Sequence, residues 1–151
     1  MTITVKDIAR KTFERIEETS SVKEVANKMK DKNLSSLVVV DGKGKPVGLV
    51  TERDLVRQVC IRDVLPSNVR IVEIMSSPLI TIKSDMSPSK AVDVMVQKGV
   101  RHLLILDNDN SEKLVGLLTP FDFLKYQEST VEEDREAIEK ILDTYESIGN
   151  Y

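Results

Sequence analysis

Gly48-Leu49-Val50-Thr51-Glu52-Arg53-Asp54-Leu55-Val56 returns as Gly116-Leu117-Leu118-Thr119-Pro120-Phe121-Asp122-Phe123-Leu124, with glycine, threonine and aspartate at the same spacing. The correspondence extends upstream. Asp7-Ile8, Ile16, Met29, Leu37 and Asp41 align with Glu73-Ile74, Ile82, Met95, Leu103 and Asp107, each 66 positions on. Beyond Asp107 the offset becomes 68, so the second copy carries two extra residues at 107–113. An insertion that leaves both flanks in register belongs in a loop, and the pattern is a tandem duplication of one supersecondary unit. A unit of about 60 residues buries little surface alone, so two halves are expected to depend on each other around a pseudo-two-fold axis.

Within the first copy, Val5, Ile8 and Ala9 predict a helical turn before an extended Phe13–Ile16. Ser21-Val22-Lys23-Glu24 is a capping box, and Val22, Val25, Ala26 and Met29 then recur at helical spacing to about Asn33. Leu37–Val40 reads as a strand buried on both faces. Asp41-Gly42-Lys43-Gly44-Lys45 lacks phosphate-loop spacing and lies between two strands, so a hairpin to Val47–Val50 is expected. A helix starts at Thr51 with Leu55, Val56, Val59 and Cys60 as its apolar face. The second copy repeats this order. Val72–Met75 is helical, Leu79–Ile82 extended, and Ser87-Pro88 opens a helix that turns Ala91, Val92, Met95 and Val96 inward. Leu103–Leu106 and Leu114–Leu118 are its strands, and Thr119 starts its last helix.

The expected fold class is therefore α+β, with two β-α-β-β-α repeats at 5–60 and 71–128 and a connector at 61–70. An extra C-terminal helix in 129–151 opens on the capping box Thr130-Val131-Glu132-Glu133. Its apolar stripe is Ile138, Ile141, Leu142, Tyr145 and Ile148. That stripe either folds back on its own chain or docks against a second one.

Composition narrows the function. No apolar run reaches the ~20 residues of a membrane span, and no basic-then-apolar leader opens the chain, so a cytoplasmic protein without a membrane partner is expected. Residues 130–151 hold seven acids and two bases, a balance of −5, so the chain total of −3 leaves about +2 elsewhere. That is too weak for a nucleic-acid stripe. Cys60 is alone and reads as a small buried apolar residue, and Met29, Met75 and Met95 lie at core spacing. His102 is the only histidine. No metal-ligand cluster, activated nucleophile or acid–base pair stands at recognisable spacing, so no enzyme activity is expected.

The repeated Thr-x-x-Asp admits two readings. Threonine at a strand-to-helix junction caps the helix, where unpaired N–H groups also favour an anion. A carboxylate three residues on has the two acceptor oxygens needed to grip a vicinal diol such as that of ribose. The motif is thus a ribonucleotide pocket, or a structural capping box inherited twice by duplication.

The order of elements, the Gly-x-x-Thr-x-x-Asp endings and the strand entry Arg101-His102-Leu103-Leu104-Ile105-Leu106-Asp107 resemble a tandem pair of CBS domains, over about residues 5–128. The resemblance implies a regulatory module that binds an adenosine ligand (AMP, ADP, ATP or S-adenosylmethionine), with no further cofactor. Asp54 and Asp122 would hold ribose hydroxyls, and Thr51 and Thr119 would meet phosphate or sugar. Leu79, Ile80 and Thr81 in the second half, and Phe13 and Glu14 with Arg15 in the first, would line adenine through the backbone. Arg101 and His102 would contact phosphates, although His102 is equally readable as a plain strand-edge histidine; the first half has Ser35 and Ser36 there. Arg53 stands where the second half has Phe121 and could lend a positive charge. These differences make the second-half site the expected stronger one. The resemblance further implies a homodimer and an effector protein reached in trans; the alternative is an interaction scaffold that binds no small ligand.

Overall fold

The structure, a computed structural model, describes residues 3–77 and 79–124 together with residues 132, 135, 136, 139, 140 and 143. Of the terminal capping box only Glu132 is among the described residues, and the apolar stripe expected in 129–151 lies outside them, as does Pro78. The six described positions of that stretch are exposed, helical polar residues, and Lys140 Nζ lies 3.5 Å from Asp93 Oδ1.

The elements follow the predicted order twice. The first set is helical turn α1 (Val5–Ile8), strand β1 (Arg15–Glu17), helix α2 (Val22–Lys32), strands β2 (Ser36–Val40) and β3 (Pro46–Thr51), and helix α3 (Glu52–Leu55). After 3-10 turns at Pro66–Asn68 and Ile71–Glu73 come β4 (Thr81–Lys83), α4 (Pro88–Lys98), β5 (Leu103–Leu106), β6 (Leu114–Leu118) and α5 (Pro120–Leu124). Ser21 caps α2 by accepting from the Glu24 N–H at 3.2 Å, with Glu24 reaching back to the Ser21 N–H. Asn33 ends α2 in the left-handed conformation, which asparagine tolerates better than most side chains. Ser87 and Gly99 bracket α4 in the same way.

Each set builds a three-stranded sheet, β1-β2-β3 or β4-β5-β6, in which the first pair is parallel and the second antiparallel. The predicted hairpin at Asp41–Lys45 joins β2 to β3. Asp41 Oδ1 accepts from the N–H groups of Lys43 and Lys45 at 2.9 Å each, and Gly44 turns the chain with φ +80°. Those bonds, that of Lys45 foremost, lower the Asp41 carboxyl below its usual range.

Compact units and sequence repeats are out of step by one leading segment. One unit is residues 13–79; the other joins residues 1–12 to the chain from Ile80 onward. The leading segment of each repeat docks on the β-α corner of the other repeat, within its own compact unit, through equivalent bonds. Val5 N–H donates to Met86 C=O at 2.9 Å, as Ile71 N–H does to Ser20 C=O at 2.8 Å. Arg10 and Leu117 exchange two backbone bonds of 2.9 Å, and Ser76 and Leu49 do the same at 2.8 and 3.1 Å. These pairs match at the offsets of the sequence repeat. The cores follow the same partition: Val5 and Ile8 pack with Met95, Leu103 and Phe123, while Ile71 and Ile74 pack with Val25, Met29 and Val50.

Two expectations require correction. The helix starting at Thr51 is α-helical only to Leu55; Val56–Cys60 is a π-helical segment, marked by the Ile61 N–H bonded to Val56 C=O at 3.1 Å. The wider turn rotates the apolar face, so Val59 stays buried while Val56 and Cys60 are exposed. Cys60 is therefore not a core residue. Val96 is only partly buried at the edge of its cluster. Among the described residues no helix is long and apolar enough to cross a membrane.

Candidate functional site

The repeated glycines prepare the end of each third strand. A Cβ on Gly48 would overlap the Met75 side chain, and one on Gly116 would come within 3.1 Å of Ala9 Cβ and Arg10 O. Both glycines therefore admit the backbone of a docking segment. What approaches them so closely is the protein's own chain.

Thr51 and Thr119 each form the hydroxyl–carboxylate pair expected of a capping box. Asp54 Oδ2 accepts from the Thr51 N–H at 2.9 Å and Oγ1–H at 3.1 Å; Asp122 Oδ2 accepts from the Thr119 N–H at 2.8 Å and Oγ1–H at 3.1 Å. The remaining oxygens differ. Asp122 is 0% exposed and its Oδ1 is 3.2 Å from Arg10 Nε. Asp54 is partly buried, and among the described residues nothing donates to its Oδ1. The difference arises from the docking segments, because the residue equivalent to Arg10 beside Asp54 is Ser76.

Sheet register gathers the other predicted residues. Thr81 pairs with Leu104 in parallel and Leu103 with Leu118 antiparallel, so the starts of β4 and β5 and the end of β6 share one end of a sheet. Thr81, the Arg101–His102 entry to β5, and Thr119 lie across that end, about 10 Å wide from strand spacing. Leu79 is the last residue of the 13–79 unit, whereas Ile80 and Thr81 belong to the other. In the 13–79 unit, Phe13-Glu14, Ser35–Ser36 and Thr51–Asp54 occupy the corresponding end. Arg53 and Phe121 are both exposed there.

The two sheet edges offer different chemistry. Ile80 C=O accepts from Leu104 N–H at 3.1 Å, and Glu14 C=O from Val38 N–H at 3.1 Å. Parallel pairing then turns the N–H and C=O of the next residue, Thr81 or Arg15, toward the open edge. Arg15 C=O is occupied by Lys28 Nζ. Val94 stands at the place equivalent to Lys28, so the outward groups of Thr81 have no such partner among the described residues. Phe13 is overlaid by the Arg15 guanidinium, 4.8 Å from its ring centre. Glu14 is turned onto α2, 3.3 Å from both Lys28 and Lys32. The hydrogen bond from Lys28, then that from Lys32, lowers its carboxyl below the usual value.

Arg10 is the site residue that sequence reasoning missed. A signal existed: Arg10, Arg101 and His102 stand where the other repeat has Ser76, Ser35 and Ser36. Among the described residues no three His, Cys, Asp or Glu side chains are grouped as a metal would require.

Known proteins share this fold. The CBS domain profile matches residues 5–60 and 71–129, and the chain belongs to the CBS-domain family. It is 36% identical over 143 residues to protein MK0525 of Methanopyrus kandleri, covering 93% of this chain and 72% of that one. It is 30% identical over 105 residues to the inosine-5'-monophosphate dehydrogenase of Methanocaldococcus jannaschii, covering 70% of this chain and 20% of that enzyme. The crystal structure of the conserved CBS-domain protein TA0289 from Thermoplasma acidophilum superposes with a TM-score of 0.80 at 26% identity, over 97% of this chain and 78% of that one.

Proposed function

We propose that this CBS pair is a regulatory module that binds an adenine nucleotide at the Thr81–Arg101–Thr119 end of the second sheet. The observation that carries the reading is the outward N–H and C=O of Thr81 on the open edge of β4. Adenine presents an amino donor beside a ring-nitrogen acceptor, and one residue's carbonyl and amide complement that pair. Arg101 and His102 lie one strand away and supply cationic or donor groups for phosphate. Thr119 stands a further strand on, within reach of the sugar, and Asp122 beside it is wholly buried and paired with Arg10. The first repeat offers the weaker site, since Lys28 already occupies its edge carbonyl and serines replace the basic pair.

Ligand acts by favouring one arrangement of the module over another, as differential affinity requires, and the output is a protein reached in trans. A role as an appended regulator agrees with the one-fifth share of the dehydrogenase that the module matches. The exposed apolar side chains Val56, Ile61, Leu65 and Val72 of the 13–79 unit favour self-association as a homodimer. The rival reading is a scaffold without ligand, favoured by the hydrogen bonds that already tie Asp54 to Thr51 and Asp122 to Thr119.

A thermal-shift panel of AMP, ADP, ATP and S-adenosylmethionine tests this on wild type and Thr81→Pro. Proline removes only an outward N–H, which an edge strand tolerates. Ligand at 100 times its dissociation constant adds about 2.7 kcal/mol, several degrees for a chain of this length. A shift in wild type that is lost in Thr81→Pro supports the reading. No shift with any adenine compound, or an equal shift in Thr81→Pro, refutes it.

A further inference from the structure

We infer that Arg10, a residue of the docking segment, is a phosphate-binding residue of the second-repeat site, held in its binding orientation by Asp122. The guanidinium is used at one end only. Nε donates to Asp122 Oδ1 at 3.2 Å, the carboxylate is wholly buried, and the arginine side chain is 45% exposed. Among the described residues Nη1 and Nη2 have no hydrogen-bond partner. An arginine anchored through Nε still presents donors in a fixed planar fork, the geometry that matches phosphate oxygens.

Its place in the fold agrees. Arg10 is bonded by its backbone to Leu117 on the free edge of β6, and its side chain reaches the first turn of α5, where Thr119 stands. Arg101 and His102 enter β5 at the same end of the sheet. Three positions that are serine in the 13–79 unit are thus basic in the other unit, and they come from two separate parts of the chain, before β1 and before β5. A counter-ion for a buried aspartate explains Arg10 alone. It does not explain why the basic-for-serine exchange occurs at all three places around one sheet end. A polyanion-binding function explains all three. Asp122 then acts on the anion through Arg10, as a positioning residue.

The inference rests on the nucleotide reading for its natural ligand, but not for its test. Calorimetric titration of the full chain with sodium tripolyphosphate, AMP and adenosine is carried out on wild type, Arg10→Lys and Arg10→Gln. Loss of a charge-assisted hydrogen bond predicts AMP and tripolyphosphate binding about 10- to 100-fold weaker in Arg10→Gln, and adenosine binding unchanged. Arg10→Lys keeps the charge without the fork and falls between; it also carries the test if Arg10→Gln does not fold. AMP bound equally by wild type and the Arg10 variants overturns the inference and leaves the nucleotide reading standing. Tighter AMP binding by the variants overturns it too, since Arg10 would then be a competitor for Asp122. Tripolyphosphate bound in an Arg10-dependent manner with no adenine compound bound keeps the anion site and refutes the nucleotide reading. No binding of any probe refutes both.

Discussion

Arg10 and Asp122 stand 112 positions apart in the chain and 3.2 Å apart in the fold. The pair ties the leading segment of the first repeat to the last described helix of the second. Its carboxylate is buried and its cation half-exposed, so the two partners are not equally dispensable.

Arg10→Ala takes the guanidinium away from the buried Asp122 carboxylate. Removing one partner of a fully buried pair costs about 3–5 kcal/mol. Here water can reach the vacated arginine side, and about 1–3 kcal/mol is expected, or roughly 2–10 °C in midpoint. Ser76→Ala, at the equivalent place, should cost less than about 0.5 kcal/mol. Thermal melts followed by circular dichroism decide this, and equal midpoints for Arg10→Ala and wild type would sink the idea.

Gly48→Ala places a methyl group where the Met75 side chain lies. Overpacking of this kind costs about 1–3 kcal/mol. Because the obstacle is a flexible side chain, Gly48→Ala combined with Met75→Ala should be less destabilised than the sum of the single variants. At Gly116 a backbone oxygen, Arg10 O, is among the obstacles, so Gly116→Ala has no such single-residue rescue. Denaturant midpoints of the four variants form the check; simple additivity at Gly48 and Met75 would contradict the contact.

Glu14 contributes to stability as an anion, because Lys28 and Lys32 hold its folded-state carboxyl below the ordinary value of 4.5. A depressed carboxyl contributes fully above its unfolded-state value, and the contribution fades as pH falls through the folded-state value. Glu14→Gln should therefore melt slightly below wild type at pH 7 and converge with it under acid conditions. The pair is solvent-exposed, so the difference should also shrink in high salt. A gap that widens toward low pH would show the sign to be wrong.

Ile61 and Leu65 are exposed apolar residues flanking the end of the π-helical segment. If the proposed homodimer uses this surface, the double variant Ile61→Asp, Leu65→Asp elutes as a monomer. Its midpoint at low protein concentration should match that of wild type, since neither side chain is buried within the chain. Size-exclusion with light scattering reads the mass; an unchanged dimer moves the interface elsewhere.

Elements with local signals were readable in the sequence. The Ser21–Glu24 capping box, the Asp41–Lys45 turn and the alternation of apolar runs are written in residues a few positions apart, and each formed where expected. What escaped depends on distance or on small shifts in phase. One π-turn after Leu55 rotated Val56 and Cys60 outward, a change of face that an apolar pattern at helical spacing cannot register. The threonine–aspartate pairs were legible as caps, but the different fates of Asp54 and Asp122 depend on Ser76 and Arg10. Those residues enter from segments far away in sequence, and no periodicity links them. The repeat offset itself held the clue, once Arg10 is set beside Ser76 as Arg101 is beside Ser35.

The crossed docking of leading segments also fixes an order of events during synthesis. Residues 13–79 are continuous and include their own docking strand, Ser76 on Leu49. They can assemble as soon as they have left the ribosome, in keeping with domain-wise folding during translation. Residues 5–10 emerge before them, but the groups they dock on, from Ser84 and Met86 to Leu117 and Asp122, are all made later. The segment translated ahead of the 13–79 unit is thus among the last to find its place.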